Sequence, residues 1–549
     1  MRKAVLPLAL AVLLLSLTYR IEEIPPFWFD EGWVMSVARN WAELGRYAQL
    51  LDGRPIPPSM LNIGLPAVAP ITLSFRLFGV GVWQGRLPGV VFTIGALCLL
   101  YHLALCLWGR KVALGTLFVA LFMSGPSELN PVVMGRQALG EMPAVFFLLA
   151  GYDSFLFWRR CPLLLLPLAA LFWGLAAATK MQVLPFLVAG LVAPIVVAFA
   201  RQRRRAVVPM LTGLFGLLAC FWFFRLVQEG LLQTQMFPEK MGLYSVTAIV
   251  PVLAVRVVAT ALLLLFGLPA LLGICYEAWQ YGTGRTKLWH DNDADTVRLS
   301  LFFLVTSWMA WYLLLSIGWP RYLFVPVFVG SMFAAVMLCD LAKEFSIPAT
   351  VKSAADTILH LRFGRNNLFA LAAVLLFVFV PLTVINMYFG FARPDRSSRE
   401  VAEFLNTATP PDALIETYDM ELFVLLNRRY SYPPNDVTLR LIRRSFMGQN
   451  VGVDYDPMAV DPDYLVVGPS GRFWRLYDPI LQTGAFRLVL DKSRYQVYER
   501  IRPMPSLVHL HGVPAIPQVI LVDDGFDSPE YLLTGFHVRQ VDVRGHGRR

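Results

Sequence analysis

Ile24-Pro-Pro-Phe-Trp-Phe-Asp-Glu-Gly-Trp33 places a pair of carboxylates, Asp30 and Glu31, among prolines and aromatics about ten residues beyond the first apolar segment. Ionisable groups at a membrane boundary are costly to desolvate, so an acidic pair aimed at the bilayer surface is a functional-site candidate. The surrounding chain makes that boundary explicit. Its 549 residues are 56% hydrophobic and 16% charged, with a mean hydropathy of +0.56, against about 25% charged residues in a soluble domain. The composition predicts a polytopic membrane protein.

About eleven apolar runs of bridging length follow one another, centred near Leu13, Leu97, Leu117, Leu148, Leu168, Leu191, Leu217, Leu262, Val305, Phe328 and Leu376. Arg2-Lys3 precedes the first run. The clusters Arg110-Lys111, Arg159-Arg160, Arg201 to Arg205, Arg285 to Arg298 and Lys343 to Arg365 then follow every second one. This one-sided pattern accounts for the net charge of +10 without a nucleic-acid partner, and predicts a multi-pass inner (plasma) membrane protein with a cytoplasmic N-terminus. Arg2 and Lys3 could also open a signal peptide, but no small-residue cleavage site follows before Glu22-Glu23, so the first run is read as a retained span. The six cysteines lie within or at the ends of apolar runs and imply no disulfide framework.

This topology puts the loop from Arg20 to Gln84 outside, together with that from Ser124 to Glu141. Ala67 to Gly81, too short and interrupted to span comfortably, reads as an interfacial helix. After Phe391 the chain turns charged and proline-rich and is long enough for a second domain, 391–549, beyond a membrane domain of 1–390. That second part reads as α/β: a helix from Ser397, a buried strand at Asp463 to Gly468, and a hairpin from Phe486-Arg-Leu-Val-Leu490 to Tyr495-Gln-Val-Tyr498 around Asp491-Lys-Ser-Arg494.

Chemistry gathers at the external helix ends. Gly135-Arg-Gln-Ala-Leu-Gly-Glu141 puts Arg136 and Glu141 just before an apolar run; Ala176-Ala-Ala-Thr-Lys-Met-Gln182 puts Lys180 at a turn; Gly318-Trp-Pro-Arg-Tyr-Leu-Phe-Val-Pro326 does the same for Arg321 and Tyr322. Each has a plainer reading. Asp30 can cap a helix starting at Glu31, Glu141 can answer a helix dipole, Lys180 and Arg321 can snorkel, and Tyr322 can belong to an aromatic belt. His509-Leu-His511 alternates as a metal pair would, but no third ligand stands nearby.

The order of these motifs and their shared side resemble the GT-C glycosyltransferases, and within them the branch holding protein O-mannosyltransferases and the lipid A aminoarabinose transferase. The resemblance implies transfer of one sugar from a polyprenyl-phosphate carrier to a lipid, glycan or protein hydroxyl outside the membrane, with inversion. It implies Asp30 as general base, Glu31 and Glu141 as further catalytic acids, and Arg136, Lys180, Arg321 and Tyr322 as substrate-binding residues. Some relatives use a divalent cation, so the resemblance leaves a metal open and assigns no ligand to it. A flippase or transporter, and a non-catalytic membrane scaffold, are the alternatives. A transporter would carry its ionisable groups near mid-membrane, whereas these sit at helix ends.

Overall fold

The computed structural model describes residues 2–58, 63–125, 129–202, 204–232, 252–284, 292–360, 365–447, 449–453 and 455–503. His509, His511 and the last residues lie outside these, as do 59–62 and 126–128 of the loops read as external and parts of the basic clusters.

Each of the eleven apolar centres falls inside a helix, from Leu13 in Arg2–Thr18 to Leu376 at the end of Arg365–Leu376. Length and composition nevertheless qualify seven described helices to cross a membrane, or eight if Leu253–Phe266 and Leu268–Gly282, bent by 86° at Gly267, count as one span. The described helices therefore do not confirm eleven crossings. Arg110–Phe122 has 13 residues and Glu141–Leu156 has 16, short of the roughly 20 that a straight crossing takes.

The helices pack around an apolar core that runs from Leu97 and Leu148 through Trp173 and Leu187 to Trp308 and Phe328. Charge is sorted to the two ends of this bundle. At one end the basic clusters meet partners: Arg159 pairs with Asp293 at 2.7 Å, Lys111 with Glu344, and Arg298 lies 5.2 Å over the Trp108 ring. The other end carries Asp30, Glu141, Lys180 and Arg321.

The stretch read as interfacial forms the helix Leu65–Phe78. Val68, Ile71 and Phe75 are buried in a core shared with Val34 and Val37 of the helix Phe29–Leu44, while Leu73, Leu77 and Phe78 stay exposed.

After the helix Phe379–Ala392 the chain forms the helix Ser397–Ala408 and a five-stranded mixed sheet. A small antiparallel hairpin, β1 (Gln49–Leu51) and β2 (Arg54–Ile56), comes earlier in the chain. The sheet strands are β3 (Leu414–Thr417), β4 (Arg429–Ser431), β5 (Tyr464–Val467), β6 (Phe486–Lys492) and β7 (Tyr495–Arg500), in spatial order β4-β3-β5-β7-β6. The β3–β4 and β3–β5 pairs are parallel, and β7 runs antiparallel to both β5 and β6. The expected strand and hairpin are β5 and β6–β7; β3 and β4 are additional, and β3 buries all four residues, Glu416 included.

Between β3 and β4, the turn Met420–Val424 seats the helix that carries Asp30. A Cβ on Gly32 would fall inside the backbone of Glu421, so glycine alone permits this approach. Phe29 lies 5.2 Å from the Tyr418 ring, and Arg39 donates to the carbonyls of Val424 and Leu426 at 3.0 and 2.8 Å. The sheet region is thus fastened to the helix of interest by backbone-level contact.

Candidate active site

The helix Phe29–Leu44 has Trp28 as its N-cap with no side-chain cap hydrogen bond, so Asp30 is not the cap. It stands in the first turn, where the helix dipole favours a carboxylate, and its Oδ2 accepts from Arg321 Nη1. Arg321 belongs to the short 3-10 turn Pro320–Leu323 that leads into the helix Phe324–Leu341. Its guanidinium lies 5.5 Å from the Trp28 ring centre and 4.9 Å from that of Trp319, which restricts the orientations of the fork.

Glu141 opens the helix Glu141–Leu156 and is 2% exposed, with Lys180 Nζ donating to its Oε1. Lys180 follows the last residue of the helix Pro162–Thr179. Tyr322 is buried, packs on Trp311 and Trp319, and presents its ring 5.7 Å from Lys180 Nζ and 5.9 Å from the Arg321 guanidinium. It joins the two ion pairs from beneath rather than facing lipid. Four separate elements therefore bring two acids and two cations together, and of the four side chains Asp30 is the most exposed, at 27%.

Two of the expected site residues are elsewhere. Glu31, adjacent in sequence, points inward: its side chain and that of Arg86 are both fully buried, joined by Nε–Oε2 and Nη2–Oε1 contacts of 2.9 and 2.6 Å. Glu31 Oε2 also accepts from Ala138 N, and Arg86 Nη1 donates to the carbonyls of Ile21 and Pro25. Arg136 is likewise enclosed, donating to the carbonyls of Ser16, Tyr19 and Ile24 and lying 4.7 Å over the Phe391 ring. Glu31 and Arg136 both fasten the loop around Asp30. The reason is helical geometry: neighbours in a helix point about 100° apart, so one acid faces the opening and the other the core.

Trp28, whose Nε1 donates to Gln137 Oε1 at 2.8 Å, and Trp319 were not among the residues singled out in the sequence, nor was Arg86. The last had a signal, an arginine at the start of the apolar run Val82–Trp108. Beneath the Asp30 helix, Asp419 accepts from the backbone N–H groups of Gly468 and Ser470, both at 2.7 Å, and Glu421 from Tyr495 Oη at 2.6 Å. Burial pushes both carboxyls up, and the charge of Asp419 adds to the rise at Glu421. Among the described residues no group of three or more His, Cys, Asp or Glu is arranged to hold a metal ion.

No family model and no curated protein matches the chain. Among solved structures it is similar to ArnT from Cupriavidus metallidurans bound to undecaprenyl phosphate, with a TM-score of 0.60 and 15% identity over 91% of this chain and 99% of that one. The apo state of the same protein gives 0.56 and 16% over 91% and 98%. The archaeal oligosaccharyltransferase AglB from Archaeoglobus fulgidus, in complex with an inhibitory peptide and a dolichol-phosphate, gives 0.51 and 11% over 91% and 75%. At these identities the likeness is one of fold: the chain shares the fold of ArnT and AglB.

Proposed function

We propose that the chain is a glycosyltransferase that moves a single sugar from a polyprenyl-phosphate carrier to an acceptor hydroxyl at the end of the bundle carrying Asp30, with inversion at the anomeric carbon. In this reading residues 1–390 are the catalytic membrane domain, 391–549 an extracytoplasmic α/β domain, and the basic end of the bundle is cytoplasmic in an inner (plasma) membrane. The observation that carries it is the accessible Asp30 carboxylate set beside Arg321, with Lys180 and Glu141 adjoining.

An alcohol is a poor nucleophile until a positioned carboxylate takes its proton, a contribution of about 10² to 10⁴ in rate. Asp30 is that base. The leaving phosphate monoester gains negative charge as the glycosidic bond breaks, and preorganised cations stabilise it. Arg321 and Lys180 are those cations, each paired with a carboxylate. An incoming donor phosphate competes for Arg321 and in doing so releases Asp30 for the acceptor hydroxyl. Glu141 keeps Lys180 in place, Tyr322 supports both cations from below, and Glu31 and Arg136 are positioning residues.

Incubating the purified protein with radiolabelled polyprenyl-phosphate sugars and candidate lipid, glycan and peptide acceptors tests this reading. A labelled acceptor is expected. Movement of intact donor across vesicles without label transfer would instead support a flippase.

A further inference from the structure

At the end of the bundle opposite Asp30, Cys106, His102 and Asp153 form a linear constellation. Asp153 Oδ1 is 2.6 Å from His102 Nδ1, and His102 Nε2 is 3.6 Å from Cys106 Sγ. His102 and Cys106 are one helical turn apart in Val82–Trp108, and Asp153 comes from the neighbouring helix Glu141–Leu156. Cys106 lies about 30 Å along its helix from Arg86, so it is remote from the proposed transfer site. We propose that Cys106 is a nucleophile that takes an acyl group from a phosphate-bearing long-chain acyl thioester, making it a self-acylation site.

The connectivity sets a nucleophile, a base and an orienting carboxylate each within reach of the next. With the His102 proton on Nδ1, toward Asp153, the Nε2 lone pair faces Sγ. The surroundings fit the donor. Cys106 is exposed near the end of an apolar helix, where the acyl chain can stay in lipid. Arg110 and Arg160 are exposed at the same end of the bundle, and Arg160 caps the Phe157 ring that packs on His102. Cations on the rim suit a phosphate-bearing head group. The reaction balances without a redox partner: Sγ adds to the thioester carbon as His102 Nε2 takes its proton, the carbon–sulfur bond to the leaving thiol breaks, and that thiolate receives the proton from His102.

Cys161 is a built-in control: it is also exposed, beside Arg159 and Arg160, and among the described residues only Cys106 has a histidine contact. The test uses the full chain in lipid nanodiscs with an alkynyl palmitoyl-coenzyme A probe. One hydroxylamine-labile adduct at Cys106 is expected, absent in Cys106→Ser. In His102→Ala the reaction should be about 10²-fold slower, with partial restoration by added imidazole. Asp153→Asn should slow it and Asp153→Glu restore part of it, as a positioning role requires. A small maleimide must still reach Cys106 in each variant that retains it. Label spread over Cys98, Cys106, Cys161 and Cys275 in proportion to exposure would overturn the proposal, as would unchanged acylation in His102→Ala with maleimide access intact.

Discussion

Replacing Glu31 by glutamine should damage the fold far more than its place beside Asp30 suggests. Glu31 and Arg86 are both fully buried and joined by two hydrogen bonds of 2.6 and 2.9 Å. The amide removes the negative charge while the guanidinium remains enclosed, its other donors committed to Ile21 and Pro25. Breaking one side of a buried pair costs about 3–5 kcal/mol, because an uncompensated charge is left behind. Arg86→Met should cost a similar amount by stranding Glu31. In the double variant neither charge is left alone, so its cost should fall short of the sum by several kcal/mol, on the order of 3. Titration with SDS in mixed micelles, followed by tryptophan fluorescence, gives the four stabilities for this cycle. Single variants within about 1 kcal/mol of wild type, the usual range for exposed pairs, or strictly additive costs, would refute the reasoning that this pair holds the Asp30 loop.

Gly32→Ala should loosen the sheet region from the Asp30 helix, since a Cβ there meets the backbone of Glu421; hydrogen exchange should rise at Met420–Val424, and unchanged protection would refute the close approach. Glu416, buried in β3 with hydrogen bonds from Tyr455 and Tyr477, has its carboxyl pushed up to about 7 by burial. A carboxyl raised on folding stabilises the fold below its unfolded pKa, and that stability is lost as pH rises through about 7. A rise of this size corresponds to about 3 kcal/mol. Proteolysis of the sheet region should therefore quicken from pH 5 to 8, and Glu416→Gln should flatten that dependence. Lys180→Ala and Arg321→Ala should each weaken polyprenyl-phosphate binding and slow transfer, with Arg321→Lys only a partial rescue because an ammonium lacks the bidentate fork; unchanged binding in both alanine variants would return the two to interfacial anchors.

The helical framework was legible because apolar runs broken by basic clusters report a membrane directly: every centre read from the sequence lies in a helix. How many cross was not, since Arg110–Phe122 and Glu141–Leu156 are apolar but short, and length is settled only by where each helix ends. Asp30, Glu141, Lys180 and Arg321 could be found as charged residues at helix ends. Their pairing could not, because it joins positions as distant as 30 and 321 through packing. Glu31 differs from Asp30 by one residue and by the face it takes, which a lone Asp-Glu pair does not reveal. Strand β3 was hidden for a related reason: Glu416 interrupts its apolar run, and its partners Ser431, Tyr455 and Tyr477 come from later segments.

The central claim is that Asp30 is the base for sugar transfer, and Asp30→Asn tests it most directly because the amide keeps the shape and accepts no proton. With a donor and acceptor that give measurable turnover, the variant should be monodisperse and bind donor, while its rate falls by about 10² to 10⁴. Turnover near that of the wild type, in a variant that binds donor normally, would contradict it.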